Sequence, residues 1–372
     1  MGFVESLMYY RESLMTVTSV YCLSLILMYL YQTINRQQNI SHISKCILRV
    51  LVILPVAIMV GYRGFSTGAD TENYWLNYFP MRDSSLSTTI GQSTGGDILF
   101  RFLAWSICKI TNANVHVYFT VVAALTLYFV ILTIDKWKLR NSTTALFLFL
   151  FCFGPNLCNQ MRELLAVSIM LYAYWYLYEK KRKVFILWSV VASLIHLSAL
   201  AAAMITYFIV AFSKKQKKSN TFYIFLGLAT VFCQPITRFL GALLFSGTKY
   251  YNKYFLEASG MSVGLGMLLT MIPIVIPAFV MHRRLDKEGK ILKIISVAIP
   301  ARLVGYDYYF VSRMHYYFSG MGIVGLPMAL DNTPDKNRGF TRIFIIIMVI
   351  AYYLAFYFWK DASTYFPYVF MS

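Results

Sequence analysis

Long runs of apolar residues alternate along the chain with short polar stretches. Clear examples are residues 15–34, 115–134, 263–281 and 343–359, which contain few or no charges. Because the hydrocarbon core of a bilayer is about 30 Å thick, about 20 apolar residues in one helix are enough to cross it. The pattern therefore predicts membrane-spanning helices rather than the core strands of a soluble protein.

The complete pattern predicts an all-α polytopic integral membrane protein with about 12 transmembrane helices. Several of the apolar runs are shorter than a straight crossing requires. Irregular backbone at membrane depth is tolerated where it lines a cavity, so residues 194–199 are expected to line a site. The remaining predicted spans are 47–62, 141–154, 161–178, 184–196, 198–212, 221–234, 291–308 and 314–330.

The composition agrees with a membrane protein and excludes a soluble one. Of the 372 residues, 58% are hydrophobic and only 13% are charged, too few to cover a soluble surface of this size. The formal net charge of +18 is compatible with nucleic-acid binding, but in a membrane protein the position of the charges matters more than their sum. No nucleic-acid partner is therefore expected.

The positions of the charges predict which side of the membrane each loop occupies. Six polar stretches carry most of the 34 Lys and Arg residues and a minority of the 16 Asp and Glu residues, which predicts that they are cytoplasmic. They are residues 35–49, 135–140, 179–183, 213–218, 282–290 and 331–342. The chain is then one transmembrane domain, residues 1–372, with outer loops at about 63–96 and 235–262.

Three segments are predicted to lie along the membrane surface. Residues 97–110 are too short to span and contain Arg101 and Lys109, so we expect an interfacial or re-entrant helix. Residues 237–245 and 250–256 are expected to form short amphipathic helices in the second outer loop.

The six cysteines predict neither a metal site nor a disulfide framework, because no C-x-x-C spacing occurs. They are interpreted as buried thiols, and Cys152 with Cys158 is the one pair for which a disulfide stays open. No metal or other cofactor is predicted.

The first outer loop opens with Arg63 and two glycines, followed by Asp70, Glu72 and Tyr74. An arginine at the end of a span with carboxylates and an aromatic ring suits an anionic headgroup and a sugar. An interfacial anchor explains the Arg and Tyr equally well. Asp70 and Glu72 form a D-x-E pair, typical of metal-associated sites in lipid-linked glycosyltransferases, although a single carboxylate acting structurally or as a general base is favoured.

Arg162 and Glu163 stand at the outer entrance of an almost wholly apolar span. A boundary charge is costly and tends to mark a substrate path, and a guanidinium there adds to the positive potential that binds phosphate. A salt bridge that joins helices is the alternative. His196, at the expected helix break, is either structural or a group that accepts a proton from a sugar hydroxyl.

The C-terminal third combines arginines with tyrosines. Arg302 and Arg313 in this aromatic setting suit a phosphate beside stacked sugars, whereas an interfacial aromatic belt explains most of the tyrosines but not both arginines. The segment contains Arg302, Tyr306, Asp307, Tyr308, Tyr309, Arg313, His315, Tyr316 and Tyr317.

Taken in order, these motifs resemble the EpsG and Wzy-type polysaccharide polymerases of bacterial envelopes. The resemblance rests on Arg63 with residues 68–71 and 73–74, then on residues 162–166, 196–200 and 313–317, with Pro367 and Tyr368 at the tail. Each motif alone is weak, but their order along most of the chain is more specific. The chain departs from the family's pattern at Glu163, where a Gln is common.

The resemblance implies a GT-C-like fold and a polymerase that joins undecaprenyl-diphosphate-linked oligosaccharide repeat units. It further implies a multi-pass protein of the bacterial inner membrane with a periplasmic active site. Because the leaving group is already activated, a metal is optional. The expected partners are the lipid-linked glycans and the bilayer, with a chain-length regulator as a candidate.

The resulting hypothesis assigns diphosphate binding to Arg63, Arg162 and Arg313, and the base to His196 or Asp70. Further candidates for substrate contacts are Glu72, Tyr74, Glu163, Arg302 and Tyr317. A flippase or other carrier of the same glycan and an O-antigen ligase are the alternatives that stay open. An acyltransferase is less favoured, since His42 and His282 are its only cytoplasmic candidates and neither has a convincing setting.

Overall fold

The computed structural model consists of helices joined by short turns, which confirms the all-α class predicted from the sequence. It describes residues 3–37, 41–92, 97–212, 219–246, 269–286, 289–304, 308, 312–359 and 364–370. The predicted helix at 250–256 lies outside this set. The chain divides into two compact units, Met1–Leu200 with Val349–Ser372, and Ala201–Met348.

Unit 1 is formed by the first part of the chain and its C-terminal end. A 3-10 turn, Phe79–Arg82, follows α4, and a π-helix, Tyr353–Trp359, precedes the C-terminal tail. The α-helices are α1 (Phe3–Tyr9), α2 (Arg11–Gln37), α3 (His42–Gly61), α4 (Thr71–Tyr78), α5 (Leu86–Gly91), α6 (Ile98–Thr111), α7 (Val115–Lys136), α8 (Ser142–Cys152), α9 (Asn156–Asn159), α10 (Met161–Tyr178), α11 (Arg182–Ile195) and the start of α12 (Ser198–Phe212).

Unit 2 contains shorter helices. Arg284 joins two of its polar stretches, since its Nη1 donates to the Thr333 hydroxyl at 3.2 Å. Asp286 accepts the N–H of Lys290 at 2.9 Å within the first of these stretches. After α12 the helices are α13 (Ser219–Val231), α14 (Cys233–Phe245), α15 (Val275–Val280), α16 (His282–Leu285), α17 (Lys290–Ser296), α18 (Ala298–Leu303), α19 (His315–Ser319), α20 (Gly322–Asp331) and α21 (Asp335–Tyr352).

Four helical segments in the described part are long and apolar enough to cross a membrane: Arg11–Arg36, His42–Gly61, Val115–Lys136 and Asp335–Trp359. A fifth span is reached if α13 and α14, which meet at a bend of 75°, count as one. The short runs noticed in the sequence are short helices, since α8 has 11 residues and α11 has 14. The total of about 12 spans, the GT-C-like arrangement and the single domain stay predictions.

The centre of unit 1 is α10, which packs against α7 and α11. Its side chains are buried along nearly the whole length of the helix, so its apolar sequence faces protein rather than lipid. Around it, α3 packs against α7, and α2 packs against α3 and α8. The two ends of α10 therefore lie among the ends of its neighbours, where the polar residues of unit 1 gather.

The predicted break between the interfacial segment and the next span is present at residues 112–114. Helix α6 ends where Asn112 adopts a left-handed conformation, with φ of 51°, which Asn tolerates better than most residues. Asn114 then caps α7 by accepting the N–H of Val117 at 3.2 Å. The helix predicted for residues 97–110 is thus confirmed as α6.

One end of unit 1, where α2, α7 and α10 end and α3, α8 and α11 begin, carries a partly buried polar cluster. We call it the basic end. The carboxylate of Asp135 accepts the Tyr31 hydroxyl at 2.8 Å and the Arg49 Nη2 at 2.8 Å. This ion pair joins α2, α3 and α7.

We expect Asp135→Asn to lower the free energy of unfolding by about 1–3 kcal/mol, because the partly buried Arg49 loses its charged partner. The measurement is thermal unfolding of the purified protein in detergent. Asp335→Asn is the control, since the Asp335 side chain is 89% exposed in its pair with Arg338 and such pairs contribute about 0–1 kcal/mol. Equal losses in the two variants would contradict this prediction.

Candidate functional site

The opposite end of unit 1, where α3 ends and α7 and α10 begin, is called the site end. Arg63 is buried there, with 1% of its surface exposed. Its Nη1 donates to the Val60 carbonyl and its Nε to the Thr71 hydroxyl, each at 2.9 Å. Its Nη2 lies 3.0 Å from the Met161 sulfur, and its guanidinium carbon lies 3.8 Å from the centre of the Phe119 ring. All these groups are neutral, so they orient the cation without cancelling its charge.

The C-terminal tail runs beside the loop that follows Arg63. The N–H of Gly64 donates to the Val369 carbonyl at 2.6 Å, and the N–H of Gly68 donates to the Thr364 carbonyl at 2.8 Å. The Thr67 hydroxyl accepts the N–H of Val369 at 3.1 Å. The last residues of the chain therefore fix the loop from one side.

The same loop is fixed on its other side by the segment that precedes α10. Gly68 has a φ of +88°, and a Cβ there would lie 2.6 Å from the Cys158 carbonyl oxygen. The Asn159 side-chain oxygen accepts the N–H of Asp70 at 3.1 Å, and the Thr71 hydroxyl lies 3.2 Å from the Cys158 carbonyl oxygen. Two motifs that are about 90 residues apart in the sequence are thus in direct contact.

Asp97 holds two arginines at the site end. Its Oδ2 accepts Arg162 Nη1 at 2.7 Å and Arg101 Nε at 3.1 Å. The Asp97 side chain is 5% exposed, whereas that of Arg162 is 36% exposed. A buried carboxylate therefore orients the Arg162 guanidinium, while part of the Arg162 side chain stays accessible at the protein surface. Arg63 contacts the sulfur of Met161, the residue directly before Arg162, which places the two cations in one neighbourhood.

Aromatic rings line this neighbourhood. The Tyr74 hydroxyl accepts the backbone N–H of Arg162 at 3.5 Å, and the Tyr74 ring lies 6.4 Å from that of Phe100. Tyr78 stacks on Tyr118 at 4.3 Å. Burial raises the pKa of Tyr78 to about 12, so its phenol stays protonated at neutral pH and can donate a hydrogen bond.

The family model described as the EpsG family matches residues 46–370. The chain belongs to the EpsG family. The resemblance seen in the sequence is therefore confirmed, and the matched EpsG region contains every candidate residue. Searches of the curated proteins and of the solved structures each found no match.

Other candidates in this EpsG-family chain occupy different surroundings. Asp70 is half-buried directly before α4, and Glu72 is exposed on the first turn of that helix. Glu163 is buried on the first turn of α10, with 4% of its surface exposed. Their roles in base catalysis and substrate contact stay predictions.

His196 marks the predicted helix break, which the structure confirms. Helix α11 ends at Ile195, His196 is extended with φ of −151° and ψ of 118°, and α12 begins at Ser198. Helices α10 and α11 pack together and are joined by residues 179–181, so they are antiparallel. The end of α11 therefore lies at the site end with the start of α10, and His196 is half-buried there.

The C-terminal candidates belong to unit 2. The Nη1 of buried Arg302 lies 3.4 Å from the Ser312 hydroxyl, and His315 Nδ1 lies 2.8 Å from the Ser312 carbonyl oxygen. Arg313 is half-buried and Tyr317 is fully buried. The diphosphate-binding role of Arg313 and the substrate contacts of Arg302 and Tyr317 stay predictions, and Asp307 lies outside the described residues.

No metal site was predicted from the sequence. Within the described ranges, no group of three or more His, Cys, Asp or Glu residues is placed to hold a metal ion, and independence from metals stays a prediction.

Asp97 is the functional residue that the sequence did not single out, because it was taken only as the start of the segment 97–110. Its spacing of four residues from Arg101 was the available signal, because side chains at i and i+4 meet on one helix face.

We expect Gly68→Ala to disrupt the loop. The added Cβ would meet the Cys158 carbonyl in a backbone conformation that disfavours side chains, at a cost of about 1–3 kcal/mol in folding free energy. Melting temperatures in detergent measure the loss. Gly91→Ala is the matched control in the same outer loop, since a Cβ added there would meet no atom within 4 Å. A Gly68→Ala protein as stable as the control would contradict this role of Gly68.

Proposed function

We propose that this EpsG-family protein is a polysaccharide polymerase of the glycosyltransferase type. In this proposal it joins undecaprenyl-diphosphate-linked oligosaccharide repeat units on the periplasmic face of the bacterial inner membrane. Family membership supports the polymerase class. The carrier lipid is what the family resemblance implies, and the side of the membrane rests on that resemblance together with the charge pattern of the loops.

The observation that carries the proposal is the pair of arginines on one buried carboxylate. Arg162 and Arg101 share Asp97, so two guanidinium groups meet on one carboxylate. A guanidinium offers planar, paired donors that match phosphate oxygens. With 36% of its side chain exposed, Arg162 is the residue that we assign to direct contact with the diphosphate.

Arg63 contributes positive charge to the site without touching the diphosphate directly. Its buried charge is held by neutral groups, and its field acts through a region of low dielectric constant, where electrostatic effects are stronger than in water. We therefore assign Arg63 to the positive potential and to the shape of the loop. A direct contact between Arg63 and the diphosphate would require the loop to open.

The reaction is the displacement of a lipid diphosphate by a sugar hydroxyl. The acceptor oxygen forms a bond to the anomeric carbon of the donor, the bond from that carbon to the diphosphate oxygen breaks, and the hydroxyl proton passes to a base. Arginines stabilise the negative charge that develops on the departing diphosphate. No oxidant, reductant or further co-reactant is needed for this balance.

His196 and Asp70 are the candidates for the base. Both lie at the site end of unit 1, His196 at the break after α11 and Asp70 before α4. An imidazole has its ordinary pKa near neutrality and so accepts a proton efficiently there. We therefore favour His196, with Asp70 as the alternative.

The test uses purified protein supplied only with lipid-linked repeat units. The proposal predicts a ladder of longer lipid-linked chains together with released undecaprenyl diphosphate. A carrier would leave the repeat units unaltered. A ligase, which needs a different acceptor, would also leave them unaltered. Repeat units that remain unaltered would therefore reject the polymerase proposal.

We expect Arg162→Gln to lower the rate of chain extension by about 100-fold or more, because a preorganised donor to the leaving group is lost. Arg82→Gln is the matched control, since Arg82 is 43% exposed in an ion pair with Asp83 in the first outer loop. Ladder formation is quantified at equal amounts of folded protein. Similar rates for the two variants would contradict the assignment of Arg162.

A further inference from the structure

At the basic end of unit 1, two lysines from different loops converge on one indole ring. The ammonium of Lys136 lies 4.9 Å from the centre of the Trp175 ring, and that of Lys181 lies 5.0 Å from the same centre. Lys136 also lies 5.5 Å from the centre of the Tyr176 ring. The two ammonium groups are therefore at most about 10 Å apart.

The surroundings of this Lys136–Lys181 pair are strongly basic. Its two loops also contain the exposed residues Lys138, Lys180, Arg182 and Lys183. Their acidic residues are Asp135, which is bound to Arg49, and Glu179. The aromatic rings hold the two ammonium groups by cation–π attraction. Since basic residues far outnumber acidic ones in these two loops, the cluster attracts anions.

An apolar face continues from the same cluster along α11. Arg182 and Lys183 begin this helix, and Ile186, Leu187 and Val190 follow with 54%, 60% and 47% of their surfaces exposed. A soluble anion has no apolar part that could pack against this face. A phospholipid matches both parts, since its phosphate meets the cations and its acyl chains lie along the apolar residues.

We propose that the Lys136–Lys181 pair and Trp175 form a binding site for the headgroup of an anionic phospholipid. Trp175 and Tyr176 provide the amphipathic rings that favour the headgroup depth of a bilayer. The site lies at the opposite end of unit 1 from Arg162 and Asp97. It is therefore independent of the proposed polymerase function and concerns the lipid environment of the protein.

The test is thermal unfolding of the delipidated full-length protein in detergent with added phosphatidylglycerol, phosphatidylcholine or inorganic phosphate. Ligands that bind the folded state raise the melting temperature. We expect phosphatidylglycerol to raise it more than phosphatidylcholine, and inorganic phosphate to have little effect. In the double variant Lys136→Gln/Lys181→Gln, the difference between the two lipids should fall to less than half.

Arg283→Gln/Lys336→Gln is the control, because it removes the same charge from two exposed positions outside the cluster. This control should keep the full difference between the lipids. Lipids that copurify with wild type and both variants, counted by native mass spectrometry, give a second measurement that does not depend on unfolding. The proposal is overturned if the two lipids act equally, if inorganic phosphate acts as strongly, or if both double variants lose the response.

Discussion

One carboxylate shared by two guanidinium groups organises the site end of unit 1. Asp97 is nearly buried, and its carboxylate forms salt bridges with both Arg101 and Arg162. The same contact joins the start of α6 to the start of α10. It fixes the direction of Arg162 while leaving part of that side chain accessible, which is the arrangement that binding of an external anion requires.

The rest of unit 1 supports this contact by fixing the loop beside it. The C-terminal tail lies along one side of residues 63–71, and the segment before α10 lies along the other. Buried Arg63 connects these elements through neutral groups. At the far end of the same helices, the basic loops offer a different surface, suited to lipid headgroups rather than to a reacting diphosphate. One helical unit thus carries the proposed diphosphate site at one end and the proposed lipid-binding cluster at the other.

Much of this organisation was readable from the sequence because hydropathy and helix breaks are local properties. The all-α class, helix α6, the short helices α8 and α11 and the break at His196 followed from apolar run lengths and flanking residues. Contacts across about 90 residues, such as Asp70 with Asn159, left no local signal beyond the family resemblance. The burial of Arg63 was also unpredictable, since its partners are a carbonyl, a hydroxyl, a sulfur atom and a ring that many residues can supply. Asp97 was missed because a single carboxylate at the start of a short helix has several ordinary explanations.

The most direct test of the central claim is the affinity of the Asp97→Asn protein for a short isoprenoid diphosphate, measured by calorimetry. Removal of a negative charge should by itself strengthen the binding of an anion. If Asp97 instead orients Arg162, the dissociation constant should rise by about tenfold or more, which corresponds to about 1.4 kcal/mol. Asp83→Asn, in the exposed pair with Arg82, should leave it nearly unchanged. An unchanged or smaller dissociation constant for Asp97→Asn would contradict the account.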